Sequence, residues 1–205
     1  MNMVKKYTKF RENSNFVCPE LEKVDGNIYF NGELVEDETK KYSDGESFLN
    51  IGYGFKNSVA RGLSNLYPMQ FKFRGKWVAS IEGVLQGIKY KDKKTQNLVL
   101  RYAGLDAYHT RGANSADFWG ETGKLYWQGK EIDRKSQQYQ LFLDELYICA
   151  TKNSLYRRML VASGDKYLLH HIGNEDKNLT VLTRFEYEQR LNTLRDFVKQ
   201  NMEIW

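Results

Sequence analysis

GLSNLYPMQFKFRGKWVASIEGVLQGIKY, residues 62–90, carries the most informative pattern in the chain. Apolar and polar residues alternate on both sides of Arg74-Gly75, which predicts a β-hairpin. Ser80 follows the second strand and predicts the N-cap of a helix through IEGVLQGIKYK. Gly83 and Gly87 weaken this helix intrinsically, but small residues on one stripe let another backbone or a ligand approach closely. The stretch therefore predicts a hairpin joined directly to a short helix.

The flanking sequence extends this pattern. Asn31-Gly32 between two apolar runs predicts another hairpin, and residues 44–62, rich in Gly, Ser and Asn, are predicted to be loop. Helices are predicted from about residues 95, 136, 153 and 183, the last with a Thr183 and Glu186 capping box. We expect a mainly helical, single-domain α+β fold with a small antiparallel sheet or hairpins in its N-terminal half. Residues 1–46 are predicted to be an arm and hairpin of unknown role, loosely packed at first, and residues 47–205 the catalytic domain.

Composition limits the functional classes. The chain has 205 residues and a formal net charge of +5, which favours anionic partners mildly. The two cysteines, Cys18 and Cys149, lie far apart and form no CxxC motif, so neither a disulfide framework nor a thiolate metal site is predicted. No signal peptide or membrane span is predicted, and we expect a cytoplasmic protein. The motifs of Rossmann oxidoreductases, P-loop enzymes and serine esterases are absent from the sequence.

The helix after Ser80 carries the first candidate site. Glu82, Gln86 and Lys89 recur at helical spacing and share one face. A partly buried carboxylate there can handle protons near neutral pH. The alternative is an exposed polar stripe without a chemical role.

Short polar residues and aromatics supply further candidates. Ser64 and Asn65 lie just before Tyr67 and can bind a ribose hydroxyl or a phosphate, with Tyr67 stacking; the alternative is an ordinary turn. Trp127, in a glycine-containing segment, can stack on a base or pack in the core.

The histidines and a late acidic pair complete the candidates. His170 and His171 stand before the acidic GNED, and one of them can donate a hydrogen bond to a phosphate; both can also be surface residues. Glu175 or Asp176 can supply a second carboxylate to Glu82, or belong to a solvated turn. No ligand spacing for zinc occurs, and no metal or cofactor is predicted.

Four segments together resemble the NADAR (YbiA-like) family. Residues 62–90 resemble its polar loop, short hairpin and helix bearing Glu, Gln and Lys. LYWQGKEIDRKSQQYQLFL (125–143), LVASGDKYLLHHIG (160–173) and KNLTVLTRFEYEQRL (177–191) resemble later parts of one branch. The resemblance spans roughly residues 47–198 and rests on the order of the four pieces.

The resemblance implies an activity and a set of residues. NADAR proteins are mainly helical N-glycosidases; some cleave phosphorylated riboflavin-pathway intermediates, and others remove ADP-ribose from nucleobases, including guanine in DNA. Glu82 matches the family's catalytic glutamate, and a later acidic residue falls near Glu175 or Asp176. The family's motif or pocket positions fall on Asn65, Gln86, Lys89 and Trp127.

The sequence also departs from the family pattern. Gly83 follows the glutamate where His is frequent, and HHIGNED replaces a WG-type motif near the later acidic residue. We expect hydrolysis of a ribosyl C1′–N bond, first of all removal of ADP-ribose from a modified base in DNA or RNA. The alternatives are hydrolysis of a riboflavin-pathway intermediate and non-catalytic binding of ADP-ribose or an NAD derivative. The oligomeric state is not predicted.

Overall fold

A computed structural model describes residues 2–110 and 119–204. Within these ranges the chain is α+β and mainly helical, as the sequence predicts. The helices are α1 (Met3–Glu12), α2 (Ser58–Leu63), α3 (Ile81–Gly87), α4 (Lys93–Val99), α5 (Gly104–His109), α6 (Trp119–Thr122), α7 (Gln137–Ala150), α8 (Ser154–Ala162) and α9 (Arg184–Gln200), followed by a 3-10 turn at Met202–Ile204. The strands are β1 (Glu22–Val24), β2 (Asn27–Phe30), β3 (Glu33–Glu36), β4 (Phe48–Asn50), β5 (Phe71–Phe73), β6 (Lys76–Val78), β7 (Lys124–Trp127), β8 (Lys130–Asp133) and β9 (Tyr167–Leu169).

Two-residue turns connect the antiparallel strands. Both predicted hairpins form: β2 pairs with β3 around Asn31-Gly32, and β5 pairs with β6 around Arg74-Gly75. All four of these turn residues have positive φ angles, which matches the right-handed twist of the flanking strands. A further hairpin, formed by β7 and β8, lies in the C-terminal half. The sequence predicts hairpins only in the N-terminal half. The β7–β8 turn, Gln128-Gly129, has the same positive φ angles.

One strand pair is parallel and joins distant parts of the chain. β4 pairs with β9, so that Asn50 lies opposite Leu169. β4 and most of α2 fall within the predicted loop of residues 44–62, which is therefore only partly loop. The pairing matters for function because it fixes the two histidines that follow β9.

Helix α1 belongs to the main core rather than to a loosely packed lead-in. It packs against α7 and α9, and Tyr7 is fully buried. The Arg11 guanidinium donates to both carboxylate oxygens of buried Asp144, at 2.8 and 3.0 Å. The polar composition of residues 1–24 does not predict this packing, because only a few aromatic residues and one ion pair hold α1 against the core.

Several helix ends form as predicted. Ser80 caps α3, Asn153 caps α8, and Thr183 with Glu186 forms the capping box of α9. The sequence predicts Thr95 as the N-cap of α4, but Asp92 caps it, so the helix begins three residues earlier. No helix in the described part of the chain is long and apolar enough to cross a membrane.

Candidate functional site

The start of α3 fixes the position of Glu82. Ser80 Oγ accepts a hydrogen bond from Gly83 N at 2.8 Å and donates one to the Tyr102 carbonyl at 2.9 Å. Glu82 N donates to the Asn65 carbonyl at 2.8 Å, so the loop after α2 lies against the first turn of α3. The carboxylate therefore projects from a turn that is bonded on two sides, and an acidic side chain is favourable at this end of a helix.

Glu82 and Gln86 share one face of α3, as their spacing predicts, and Lys89 joins them in a connected polar row from the turn just past the end of the helix, which is shorter than predicted. Gln86 Nε2 donates to Glu82 Oε1, and Lys89 Nζ donates to Gln86 Oε1, both at 2.6 Å. A carboxylate only accepts and an ammonium only donates, so the orientation of the Gln86 amide between them is determined by its partners. Gln86 is buried and Glu82 partly buried, which makes this row part of a cleft rather than an exposed stripe.

The row borders a cavity of about 400 Å³. This volume lies within the roughly 300–1,000 Å³ typical of small-molecule sites. The lining comes from the loop after α2, the polar face of α3, α5, the segment after β9 and the start of α9. The described lining residues are Ser64, Asn65, Leu66, Glu82, Leu85, Gln86, Lys89, Tyr108, His170, Ile172, Gly173, Asn174, Leu179, Thr180, Val181, Leu182 and Tyr187.

Asn65 is held from behind by α7. The buried Tyr147 hydroxyl donates to Asn65 Oδ1 at 2.9 Å. Since that oxygen is engaged, a hydrogen bond from the Asn65 side chain to a ligand comes from its NH₂ group. Ser64, Asn65, Glu82, Gln86 and Lys89 are thus the predicted site residues that the fold brings to one cavity.

His170, rather than His171, lines this cavity. His170 Nδ1 lies 2.9 Å from the Ile51 carbonyl, which only accepts, so Nδ1 carries the hydrogen. Burial lowers the pKa of His170 below its usual value. At neutral pH the ring is therefore neutral, with Nε2 as a hydrogen-bond acceptor. Its face is fixed by an edge-to-face contact with Tyr187, with ring centroids 4.9 Å apart.

His171 does not line this cavity, because its ring is held by Glu36 and Asn50 in the turn that follows β9. It is buried; its Nε2 lies 2.6 Å from Glu36 Oε2 and its Nδ1 3.0 Å from Asn50 Oδ1. These contacts connect β3 to the end of β9. The structure thus gives His171 a bridging position and gives no support to its predicted contact with substrate.

The predicted second carboxylate is not brought to Glu82. Asp176 is exposed, and its Oδ1 accepts from Asn178 N at 2.8 Å within a turn. Glu175 is also exposed, and its carboxylate accepts from Phe185 N at 3.3 Å, at the start of α9. Both carboxylates bind local backbone N–H groups, and neither lines the described cavity.

The predicted aromatic residues take core positions. Trp127 is 7% exposed and packs edge-to-face on Phe73 and Phe142, with ring centroids 4.9 and 5.8 Å away. Tyr67 is half-buried against the main core. Neither ring lines the described cavity, so the structure does not support stacking on a ligand by either residue.

Tyr187 and Tyr108 also line the cavity, although the sequence does not predict either as a site residue. The Tyr187 hydroxyl donates to the Leu63 carbonyl at 3.0 Å, and burial raises its pKa far above the usual value. Tyr187 is therefore neutral, lines the cavity and connects α9 to the end of α2. Its position in a buried helix stripe carries no local signal of this role. Among the residues that the structure describes, no group of three His, Cys, Asp or Glu side chains is arranged to hold a metal ion.

Comparisons with known proteins bear on the family. Among solved structures, the NMR structure of the E. coli protein YbiA matches with 17% identity and a TM-score of 0.45, covering 78% of this chain and 88% of that one. A search of curated proteins found no significant match. A sequence model of the family described as bacteriophage protein GP30.3 matches residues 57–196, which include every described residue of the cavity. Because this match spans well over half of the chain, the protein belongs to the bacteriophage GP30.3 family, a family of the NADAR (YbiA-like) type.

Proposed function

We propose that the protein is an N-glycosidase that hydrolyses a ribosyl C1′–N bond, with an ADP-ribosylated nucleobase in DNA or RNA as its substrate. The observation that carries the proposal is the placement of Glu82. Its carboxylate borders a nucleotide-sized cavity, and its backbone N–H and its Oε1 are bonded to Asn65 and Gln86. Family membership supports the same class of reaction.

The chemistry needs a single carboxylate and one water molecule. As the C1′–N bond breaks, positive charge develops on the ribose, and a fixed carboxylate beside C1′ stabilises it. The water oxygen forms the new bond to C1′, and Glu82 accepts a proton from that water. The leaving nitrogen then takes the proton that Glu82 accepted, so that ribose gains OH, the base gains H and Glu82 returns to its carboxylate form. Asp176 and Glu175, away from the cavity, have no part in this scheme.

The other cavity residues bind and orient. Asn65 and Ser64 line the cavity, and in this proposal they bind ribose hydroxyls, Asn65 through its NH₂ group. Lys89 borders the cavity next to Gln86 and supplies positive charge for a phosphate. Neutral His170 offers an acceptor at Nε2 to a hydroxyl or amino group of the ligand. The net charge of +5 increases the local concentration of an anionic substrate.

The test compares the wild type with Glu82→Gln and with Glu131→Gln as a matched control. Glu131 lies on β8 in a half-exposed ion pair with Lys124, at 3.4 Å. Each enzyme is incubated with an oligonucleotide carrying ADP-ribosylated guanine, and free ADP-ribose is measured by mass spectrometry. We expect Glu82→Gln to bind substrate but to lose turnover by about 10³-fold, while Glu131→Gln stays close to wild type. Release of ADP-ribose by Glu82→Gln at the wild-type rate would contradict the assignment of Glu82 as the catalytic residue.

The same assay separates the alternatives. Turnover of a phosphorylated riboflavin-pathway intermediate, insensitive to salt and without activity on the oligonucleotide, would replace the proposed substrate. Heat of binding for ADP-ribose in calorimetry, with no product from any substrate, would make the protein a binding module.

A further inference from the structure

A second cavity lies beside the first and belongs largely to the segment before the family match. Its volume is about 370 Å³, and it is lined by residues 40–44 and 54–57. The lining holds three lysines, Lys40, Lys41 and Lys56, and two aromatic rings, Tyr42 and Phe55, beside a single carboxylate, Asp44. This combination of cations and flat rings is suited to a nucleotide.

The His170-His171 dipeptide separates the two cavities. His170 lines the first, whereas the His171 ring contacts the Tyr42 ring, with centroids 5.0 Å apart. Tyr42 in turn contacts Phe55 at a centroid distance of 4.9 Å. His171, the neighbour in sequence of a wall residue of the first cavity, is therefore in ring contact with the lining of the second.

Backbone pairing fixes the position of Tyr42. Tyr42 forms an isolated antiparallel bridge with Glu36, and Ser43 N donates to the Val35 carbonyl at 2.8 Å. The Tyr42 ring nevertheless remains 45% exposed. An aromatic ring that is held in place and half-exposed loses little entropy when a base stacks on it.

The charges of the second cavity favour an anion. Asp44 is engaged, because its Oδ1 accepts from Asn50 N at 2.8 Å, and Lys40 is paired with Glu36 at 2.9 Å. Lys41 and Lys56 have exposed side chains. Positive charge beside a stacking ring is the combination by which proteins track single-stranded nucleic acid.

We propose that the second cavity binds the nucleotide adjacent to the modified one in a single-stranded nucleic acid substrate. The base of this nucleotide stacks on Tyr42, and the backbone phosphates on either side of it contact Lys41 and Lys56. The inference rests on the proposed function of the first cavity, and it makes a polynucleotide, rather than a mononucleotide, the preferred substrate. An acidic peptide would use the lysines but would not need the ring.

Two measurements test the proposal with the full chain. Fluorescence anisotropy measures binding of an unmodified oligothymidylate of about twelve nucleotides. Mass spectrometry measures kcat/KM for an ADP-ribosylated oligonucleotide and for the corresponding modified mononucleotide. The variants are Tyr42→Ala, Tyr42→Phe and Lys56→Ala. The control is Trp77→Ala, which removes a ring that is 70% exposed and lines a different cavity with Lys76 and Arg101.

We expect Tyr42→Ala to weaken oligothymidylate binding about tenfold and to lower the oligonucleotide-to-mononucleotide ratio of kcat/KM by a similar factor. Tyr42→Phe should preserve both, because stacking needs the ring and not the hydroxyl, and unchanged activity of Tyr42→Ala on the mononucleotide shows that the alanine variant is folded. Lys56→Ala should reduce the slope of log K against log salt by about one, and Trp77→Ala should change neither quantity.

Each other outcome has a distinct meaning. Absence of oligothymidylate binding by the wild type, or equal losses in Tyr42→Ala and Trp77→Ala, overturns this inference. Competition by an acidic peptide with no dependence on Tyr42 also overturns it. Activity on the mononucleotide with no preference for the oligonucleotide overturns it while leaving the glycosidase proposal intact. Tyr42-dependent binding without activity on any substrate supports the second site and overturns the proposed function.

Discussion

Gln86 Nε2 donates to Glu82 Oε1 at 2.6 Å, one helical turn along α3, and Gln86 Oε1 accepts from Lys89 at the same distance. The amide thus holds the carboxylate on one side and the ammonium on the other. Because Gln86 is buried, this geometry does not depend on a mobile surface side chain. In the proposed reaction, Gln86 is a positioning residue for Glu82.

Substitution of Gln86 should separate positioning from simple folding. Gln86→Leu is expected to lower kcat about tenfold or more, since small displacements of a reacting group are costly. Gln86→Glu places a second carboxylate beside Glu82, and each disfavours the ionised form of the other. The acid limb of the pH–rate profile should therefore move to higher pH in Gln86→Glu, and further than in Gln86→Leu, which only removes the hydrogen bond to the carboxylate. An unchanged profile in that variant would contradict the positioning role.

The Tyr147 hydroxyl that holds Asn65 can be removed alone. Tyr147→Phe leaves Asn65 Oδ1 without its 2.9 Å bond, and we expect a higher KM together with a loss of about 1 kcal/mol in the free energy of unfolding. Tyr7→Phe is the matched control, because Tyr7 is equally buried and its hydroxyl bonds to Thr193 and to the Arg190 carbonyl. The control should lose similar stability in urea denaturation but keep its KM. Parallel changes of KM in both variants would argue against an Asn65 role.

Gly83 is required by a close backbone contact. A Cβ atom there would lie 2.7 Å from the Tyr102 carbonyl oxygen and 3.1 Å from that of Val99. Gly83→Ala should therefore lower the free energy of unfolding by about 1–3 kcal/mol, although alanine is the better helix former. Gly54→Ala, whose Cβ meets nothing within 4 Å, should change it by less than about 0.5 kcal/mol. Thermal unfolding of the two variants measures the difference; a Gly83→Ala variant as stable as Gly54→Ala would contradict this account.

Acid stability should depend on Glu186. Burial alone would raise the pKa of Glu186, but the hydrogen bonds and charge of Arg134 and the backbone N–H of Thr183 outweigh it and lower the pKa below the usual value. The stabilisation is therefore complete above the unfolded value of about 4.3, and it is lost as the pH falls through the lower folded value. Glu186→Gln should flatten the fall in unfolding free energy below about pH 5 and destabilise the protein at neutral pH, because buried Arg134 loses its partner.

Urea denaturation at a series of pH values checks this prediction. Glu131→Gln, in its half-exposed ion pair, serves as the comparison and should keep the wild-type dependence. A steep loss of stability in Glu186→Gln, as large as in the wild type, would show that other carboxylates control acid unfolding.

The local sequence predicted elements whose information lies within a few residues. Arg74-Gly75 and Asn31-Gly32 identify their hairpins because their positive φ angles suit a two-residue turn. The capping box of Thr183 and Glu186 is equally local. Helix α1, the β7–β8 hairpin and the β4–β9 pair were missed, since they depend on weaker turn signals or on distant partners.

The shared face of Glu82 and Gln86 follows from the sequence without any tertiary information, because helical geometry sets the direction of residues four apart. Which other side chains line the cavity beside this face depends on tertiary packing. The parallel pairing of β4 with β9 turns His170 toward the cavity and His171 away from it. Packing of α9 brings Tyr187 from the far end of the chain, while local backbone bonds keep Asp176 outside. Such long-range contacts leave no periodic or motif signature, since each depends on how whole elements pack.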